Sequence, residues 1–153
     1  MATPTVYIES TVISYYAAFR TRDLIMAAHE EITWEWWESV LPQLDPYVSQ
    51  IVFDEISRGD PSAAQRRVAA AGKFGVLEVT PDVAMLANIY FEALDIPEKA
   101  RNDSLHLALA ACHGMDYLVG IAPIFPPAGL GMPWQESTTN EATGRRSFAR
   151  RKN

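Results

Sequence analysis

The chain has 153 residues and a single cysteine, Cys112. No internal disulfide can form, and nothing asks for an oxidising compartment. Cys112 lies in an Ala-rich helical run and reads as a small buried hydrophobe. Long apolar stretches are lacking too: none approaches the ~20 residues of a membrane span. The opening residues Met1-Ala2-Thr3-Pro4 carry neither a basic nor an apolar leader region, so no secretory signal is read there. A cytoplasmic protein that makes no use of a membrane is the expectation. Positive charge is scarce: the formal net charge is -6. Five basic residues (Arg145, Arg146, Arg150, Arg151 and Lys152) follow Gly120, beside the two acids Glu136 and Glu141. The 119 residues before Gly120 hold eight basic and 17 acidic side chains, a net charge of -9. Such a body repels phosphate chains unless metal ions or a local basic strip intervene.

What is present is a regular alternation of short apolar runs and helical patterns. The hydrophobic content of 48% suits one globular domain with a sizeable core. Thr5 to Ile8 reads as a strand, and Thr11 to Ala18 as a short helix. Asp23 is an N-cap candidate for a longer helix running to about Leu41, with Ile25, Ala28, Ile32, Trp36 and Val40 on one face. Trp34 and Trp37 lie off that face. Tyr47 to Ser49 is a second strand, Ile51 to Ser57 a short helix, and Ser62 to Ala71 a helix stopped by Gly72. Gly75 to Val79 is a third strand. Pro81 opens a helix with Val83, Leu86, Ala87 and Tyr90 on one side. An apolar helix covers Asn102 to Cys112 and ends at Gly114; Met115 to Val119 is a fourth strand. Strands alternating with helices imply an α/β fold, with a mostly parallel sheet of about four strands sandwiched between helices.

The chemistry gathers at element ends. Val6-Tyr7-Ile8-Glu9 delivers a carboxylate to the C-terminal end of the first strand, where open parallel sheets place their ligands. A solvated strand-end acid would look the same. Glu55 lies in the short helix after the second strand, and Asp103 opens the apolar helix. Strand C-termini and the N-termini of the helices that follow share one edge of a parallel sheet, so the three acids can converge. Converging carboxylates suit a hard divalent ion, and such an ion suits phosphodiester hydrolysis. A metal-dependent phosphatase on a similar scaffold ranks lower, because no Asp-x-Asp nucleophile pair follows the first strand.

Four segments carry a family resemblance. They are Ile8-Glu9-Ser10-Thr11-Val12-Ile13-Ser14, Ser49-Gln50-Ile51-Val52-Phe53-Asp54-Glu55-Ile56, Asp103-Ser104-Leu105-His106-Leu107-Ala108-Leu109-Ala110 and Gly114-Met115-Asp116-Tyr117-Leu118-Val119. In this order and spacing the chain resembles PIN domains, and most nearly the VapC-like toxin ribonucleases, over about Thr5 to Val119. The resemblance implies a Rossmann-like α/β/α sandwich and cleavage of RNA with Mg²⁺ or Mn²⁺ held by Glu9, Glu55 and Asp103. It also implies a homodimer and a small antitoxin protein as partner. A catalytically impaired PIN-like domain that only binds a partner is the rival reading. Two departures stand out. The first acid is Glu9 where the family usually has Asp, and Gly120-Ile121 stand where a polar ligand usually completes the site.

Other polar residues have competing roles. Ser10 and Thr11 could orient water or phosphate, or cap the next helix. His106, one turn beyond Asp103, could ligate a metal, but packing or hydrogen bonding behind the ligands suits it better. Asp116 precedes the fourth strand and is placed beside the site rather than in it. Asp54 points about 100° away from Glu55 on a helix. His29 and His113 read as helix-surface residues. Trp34, Trp36 and Trp37 could stack bases, although core or dimer contacts explain them as well.

After Val119 the periodicity stops. Residues 120–153 are rich in Pro, Gly, Ser, Thr and Asn and end in a basic cluster, a composition for an irregular or disordered tail beside a 1–119 nuclease-like domain. So sharp an edge fits a shifted reading frame. Gly, Ile and Ile at 120, 121 and 124 are encoded by GGN, ATH and ATH. Read one base out of frame, such codons can spell Trp-Asn-x-x-His, the pattern this branch of the resemblance implies after its last strand.

Overall fold

Three fully buried residues in a row, Val6, Tyr7 and Ile8, make Thr5–Ile8 (β1) the central strand of the molecule. A strand apolar on both sides must be covered on both faces, which is the signature of a parallel sheet. The computed structural model describes residues 2–18, 22–120, 134–140 and 145–150. It is an α/β protein built on a four-stranded parallel sheet in the order β3-β2-β1-β4. The other strands are Asp45–Ser49 (β2), Gly75–Leu77 (β3) and Tyr117–Val119 (β4). Tyr7 stands opposite Tyr47 on one side and Leu118 on the other. This fold class agrees with the sequence expectation and is compatible with a PIN-like sandwich.

Six helices follow in chain order among the described residues: Ser10–Tyr16 (α1), Leu24–Ser39 (α2), Gln50–Ile56 (α3), Pro61–Ala71 (α4), Pro81–Ala93 (α5) and Arg101–Cys112 (α6). Their starts are set by local chemistry. The Asp23 carboxylate accepts from the backbone N–H of Ile25 and Met26 at 3.0 Å each, and Asp60, Ser49 and Thr80 cap α4, α3 and α5 in the same way. The end of α6 is set by Gly114, whose φ of 64° lets the Met115 N–H fold back to the Ala110 carbonyl at 2.9 Å.

Two expectations about packing need correction. The buried side of α2 is Thr33, Trp36, Trp37 and Val40, while Ile25 is 73% exposed, Ile32 is 47% exposed and Ala28 is also exposed. Only the second half of α2 meets the core, so the amphipathic period has nothing to cover in the first half. Trp37 is a core residue, stacked on Tyr16 with ring centroids 4.0 Å apart and tilted against Phe74. Trp34, at 56%, stays exposed. Cys112 is exposed rather than buried. It shares the last turn of α6 with Ala111, also exposed, beyond the buried stretch that ends at Ala110.

Within the segment expected to be irregular, Trp134–Asn140 (β5) and Arg145–Arg150 (β6) pair antiparallel in a separate two-stranded sheet. The expectation of disorder over the rest of 120–153, and the basic residues Arg151 and Lys152, lie outside the described residues. Among the described residues no helix is long and apolar enough to cross a membrane.

Candidate functional site

All four strands of the main sheet run the same way, so their C-terminal ends share one edge. Glu9 comes directly after β1, in extended conformation, and its N–H donates to the Val119 carbonyl at 3.1 Å. α3 starts directly after β2 and carries Glu55 in its second turn. α6 leads into β4, so its first turn, with Asp103, faces the same edge. The three acids feel one another electrostatically. Burial is the main reason the Glu9 carboxyl is pushed up to about 7, and the charges of Asp103 and Glu55 push the same way. Burial also raises Asp103, with the charge of Glu55 adding to it.

Glu55 behaves differently. Burial pushes its carboxyl up, but the hydrogen bond to His106, with help from Ser10 and Arg58, leaves it below the usual carboxylate range. His106 Nε2 lies 2.8 Å from Glu55 Oε1, and Ser10 Oγ donates to Glu55 Oε2 at 2.8 Å. Thr11 Oγ1 donates to Glu9 Oε1 at 3.2 Å. Ser10 and Thr11 therefore orient site carboxylates, and the N-cap position of α1 is Glu9. The other Glu9 oxygen, Oε2, lies where a Cβ on residue 120 would stand, and only glycine leaves that space open.

The geometry sorts the expected residues. Glu9, Glu55, Asp103, Ser10, Thr11 and His106 meet at the C-terminal edge. Asp116 does not, contrary to the expectation that it stands beside the site. Its carboxylate accepts from the Thr5 N–H at 2.8 Å and from the Thr5 hydroxyl at 3.1 Å. Thr5 and Tyr117 begin β1 and β4, so Asp116 ties the opposite edge of the sheet. Asp54 is exposed and accepts from the Gln50 side-chain amide at 2.9 Å, away from Glu55.

Three residues escaped the sequence reading. Tyr7, inside what looks like a purely apolar strand, puts its hydroxyl 2.6 Å from His106 Nδ1 and 2.9 Å from Ser49 Oγ. A buried tyrosine demands a hydrogen-bond partner, but the sequence does not name it. Ser49 reads only as the end of the second strand and the head of a PIN-like segment. Gly120 reads as the start of the tail, whereas its missing side chain makes room for Glu9.

The donor set has the chemistry of a hard divalent-cation site, since carboxylate oxygens are what Mg²⁺ and Mn²⁺ prefer. As the side chains stand it is not closed. Among the described residues no group of three His, Cys, Asp or Glu is placed to hold one ion. Glu55 turns its two oxygens to His106 and Ser10 instead.

Fold and site together define a class: a parallel α/β protein with an acidic, hydroxyl-lined strand edge. Comparison with protein-family models, curated proteins and solved structures returned no match.

Proposed function

We propose that the chain is a PIN-like, metal-dependent endoribonuclease of the VapC toxin type, its catalytic body formed by residues 1–119. The observation that carries this reading is the convergence of Glu9, Asp103 and Glu55 at the ligand-binding edge of the sheet. There the Glu9 carboxyl is held up to about 7 by burial and by its acidic neighbours, a state that a bound cation would relieve. The four ordered segments that resemble PIN domains point the same way. In this reading Glu9 and Asp103 hold Mg²⁺ or Mn²⁺, and Glu55 joins them. Bound there, the cation would shield the phosphate charge and acidify the attacking water. Thr11 and Ser10 orient the Glu9 and Glu55 carboxylates. The net charge of -9 over the first 119 residues makes RNA binding without a cation unfavourable. A homodimer, a small antitoxin partner and a cytoplasmic location belong to the same proposal.

A second reading is favoured by one specific observation. Gly120 offers no polar side chain where the site would be completed. On this reading the domain is catalytically impaired and acts by binding a partner.

One experiment separates the two. The full chain is incubated with a panel of structured RNAs in Mg²⁺, in Mn²⁺ and in EDTA, beside Asp103→Asn. The nuclease reading expects divalent-dependent cleavage that Asp103→Asn reduces by at least about a hundredfold, the scale of removing one charge-stabilising group, with its thermal unfolding little changed. Cleavage by Asp103→Asn at the wild-type rate would remove Asp103 from the site. No cleavage by the wild type under any condition supports the impaired domain.

A further inference from the structure

We propose that Tyr7 and His106 are positioning residues for Glu55, acting through a buried hydrogen-bond relay that fixes the His106 ring with its proton on Nε2. The inference rests on the reading of Glu55 as a site carboxylate; the relay itself does not need it.

The relay runs from Ser49 through Tyr7 and His106 to Glu55. Tyr7 and Ser49 are fully buried, and His106 is 1% exposed. Its three links measure 2.9 Å, 2.6 Å and 2.8 Å. Its polarity follows from counting hydrogens. Ser49 Oγ accepts from the Val52 N–H, capping α3. The Ser49 hydroxyl hydrogen still needs an acceptor in this buried place, and the Tyr7 oxygen is the neighbour that provides one. Tyr7 must then donate its own hydrogen onward, to His106 Nδ1. With Nδ1 accepting, the ring proton sits on Nε2 and points at Glu55 Oε1. The opposite polarity would send the Tyr7 hydrogen to Ser49 and leave the Ser49 hydroxyl hydrogen buried without an acceptor, which costs about 1–3 kcal/mol.

The consequence is directional. A ring locked at both nitrogens does not rotate, so its Nε2–H holds one Glu55 oxygen at a set angle while Ser10 holds the other. The relay thus fixes the orientation of the Glu55 carboxylate at the C-terminal edge of the sheet. It also spans the sequence, linking β1, the start of α3 and α6, so the site is tied to the centre of the sheet. Groups that act through a ligand in this manner carry effects of about 10–100-fold on activity or metal affinity.

The test uses the full chain with ¹⁵N-labelled imidazoles. Long-range proton–nitrogen NMR at neutral pH should show His106 as one species, with Nε2 protonated and Nδ1 bare. Tyr7→Phe should shift the Nδ1 resonance through loss of its donor and leave the signals of His29 and His113 in place. A His106 ring protonated on Nδ1, or on both nitrogens, overturns the relay. So does an Nδ1 resonance that Tyr7→Phe leaves unmoved. If Tyr7→Phe does not fold, the wild-type spectrum alone decides. In the cleavage assay, Tyr7→Phe should lower kcat about tenfold with KM unchanged. His106→Gln, which keeps a donor for Glu55, should retain more activity than His106→Leu. Equal rates in those two variants overturn the positioning role. A wild-type chain that cuts no RNA refutes the nuclease reading instead, and the ring-nitrogen result still decides the relay.

Discussion

Relative to the wild type, Glu9→Gln should gain stability as the pH rises from 5 to 8. The Glu9 carboxyl is raised from its usual 4.5 to about 7, first by burial and then by Asp103 and Glu55. Between those values the unfolded chain has released the proton and the folded chain still holds it. Unfolding therefore releases a proton, and stability falls as pH rises through this window. The contribution is absent below about 4.5 and complete above about 7. At about 1.4 kcal/mol per pH unit, the step from 4.5 to about 7 costs about 3 kcal/mol at pH 8. Gln cannot ionise, so it avoids that cost, and its Oε1 can still accept from Thr11. Its amide hydrogens need partners that the buried site does not promise, which costs about 1–3 kcal/mol at every pH. The diagnostic is thus the change in the mutant-minus-wild-type difference between pH 5 and pH 8. For a chain of this size about 3 kcal/mol corresponds to about 6–12 °C in Tm. Glu55 works oppositely, because its lowered carboxyl contributes stability that is lost as pH falls through its folded pKa. That term is present in both proteins and largely cancels in the difference. The assay is thermal unfolding in EDTA at the two pH values. A Tm difference that is the same at pH 5 and pH 8 would refute the reasoning, because Glu9 would then carry no buried-charge penalty.

Three further outcomes follow from the same geometry. Adding Mg²⁺ or Mn²⁺ at pH 8 should raise the Tm of the wild type more than that of Glu9→Gln, since a cation relieves the Glu9 penalty; equal rises in both proteins would separate Glu9 from any cation site. Gly120→Ala places a Cβ where Glu9 Oε2 lies, so it should cost about 1 kcal/mol in the wild type and close to nothing in a Glu9→Asp background, whose acid is one methylene shorter; a double-mutant cycle by urea unfolding with no coupling would refute the contact. In the gene, the offset frame beyond codon 119 should encode Trp-Asn-x-x-His; any other reading there removes the frame-shift explanation of residues 120–153.

The layout of this protein was legible in the sequence because it is written in local signals. Asp23 and Gly114 act on backbone within a turn of themselves, and the β1 run Val6-Tyr7-Ile8 is apolar enough to require cover on both faces. The alternation of runs and periods implies a parallel sheet, and a parallel sheet sends Glu9, Glu55 and Asp103 to one edge. What escaped the sequence depends on which surfaces meet. Ile25, Ile32 and Trp37 sit on the same helix, yet only Trp37 is buried, because Tyr16 and Phe74 come to it from elsewhere in the chain. Cys112 ends a helix whose last turn outruns its packing. Asp116 is drawn to Thr5, 111 residues away, and so to the wrong edge for a site residue. His106 finds Tyr7 across 99 residues and Glu55 across 51. A buried polar group announces that it needs a partner, but its identity is a matter of three-dimensional register, which composition and spacing do not contain. Up to Val119 the sequence by itself determined the main elements, their order and the edge where the acids stand; beyond it, the pairing of β5 with β6 was not legible. Only the tertiary structure decided how each acid is held: Glu9 packed against Gly120 and raised by burial, and Glu55 lowered by its hydrogen bond to a buried histidine.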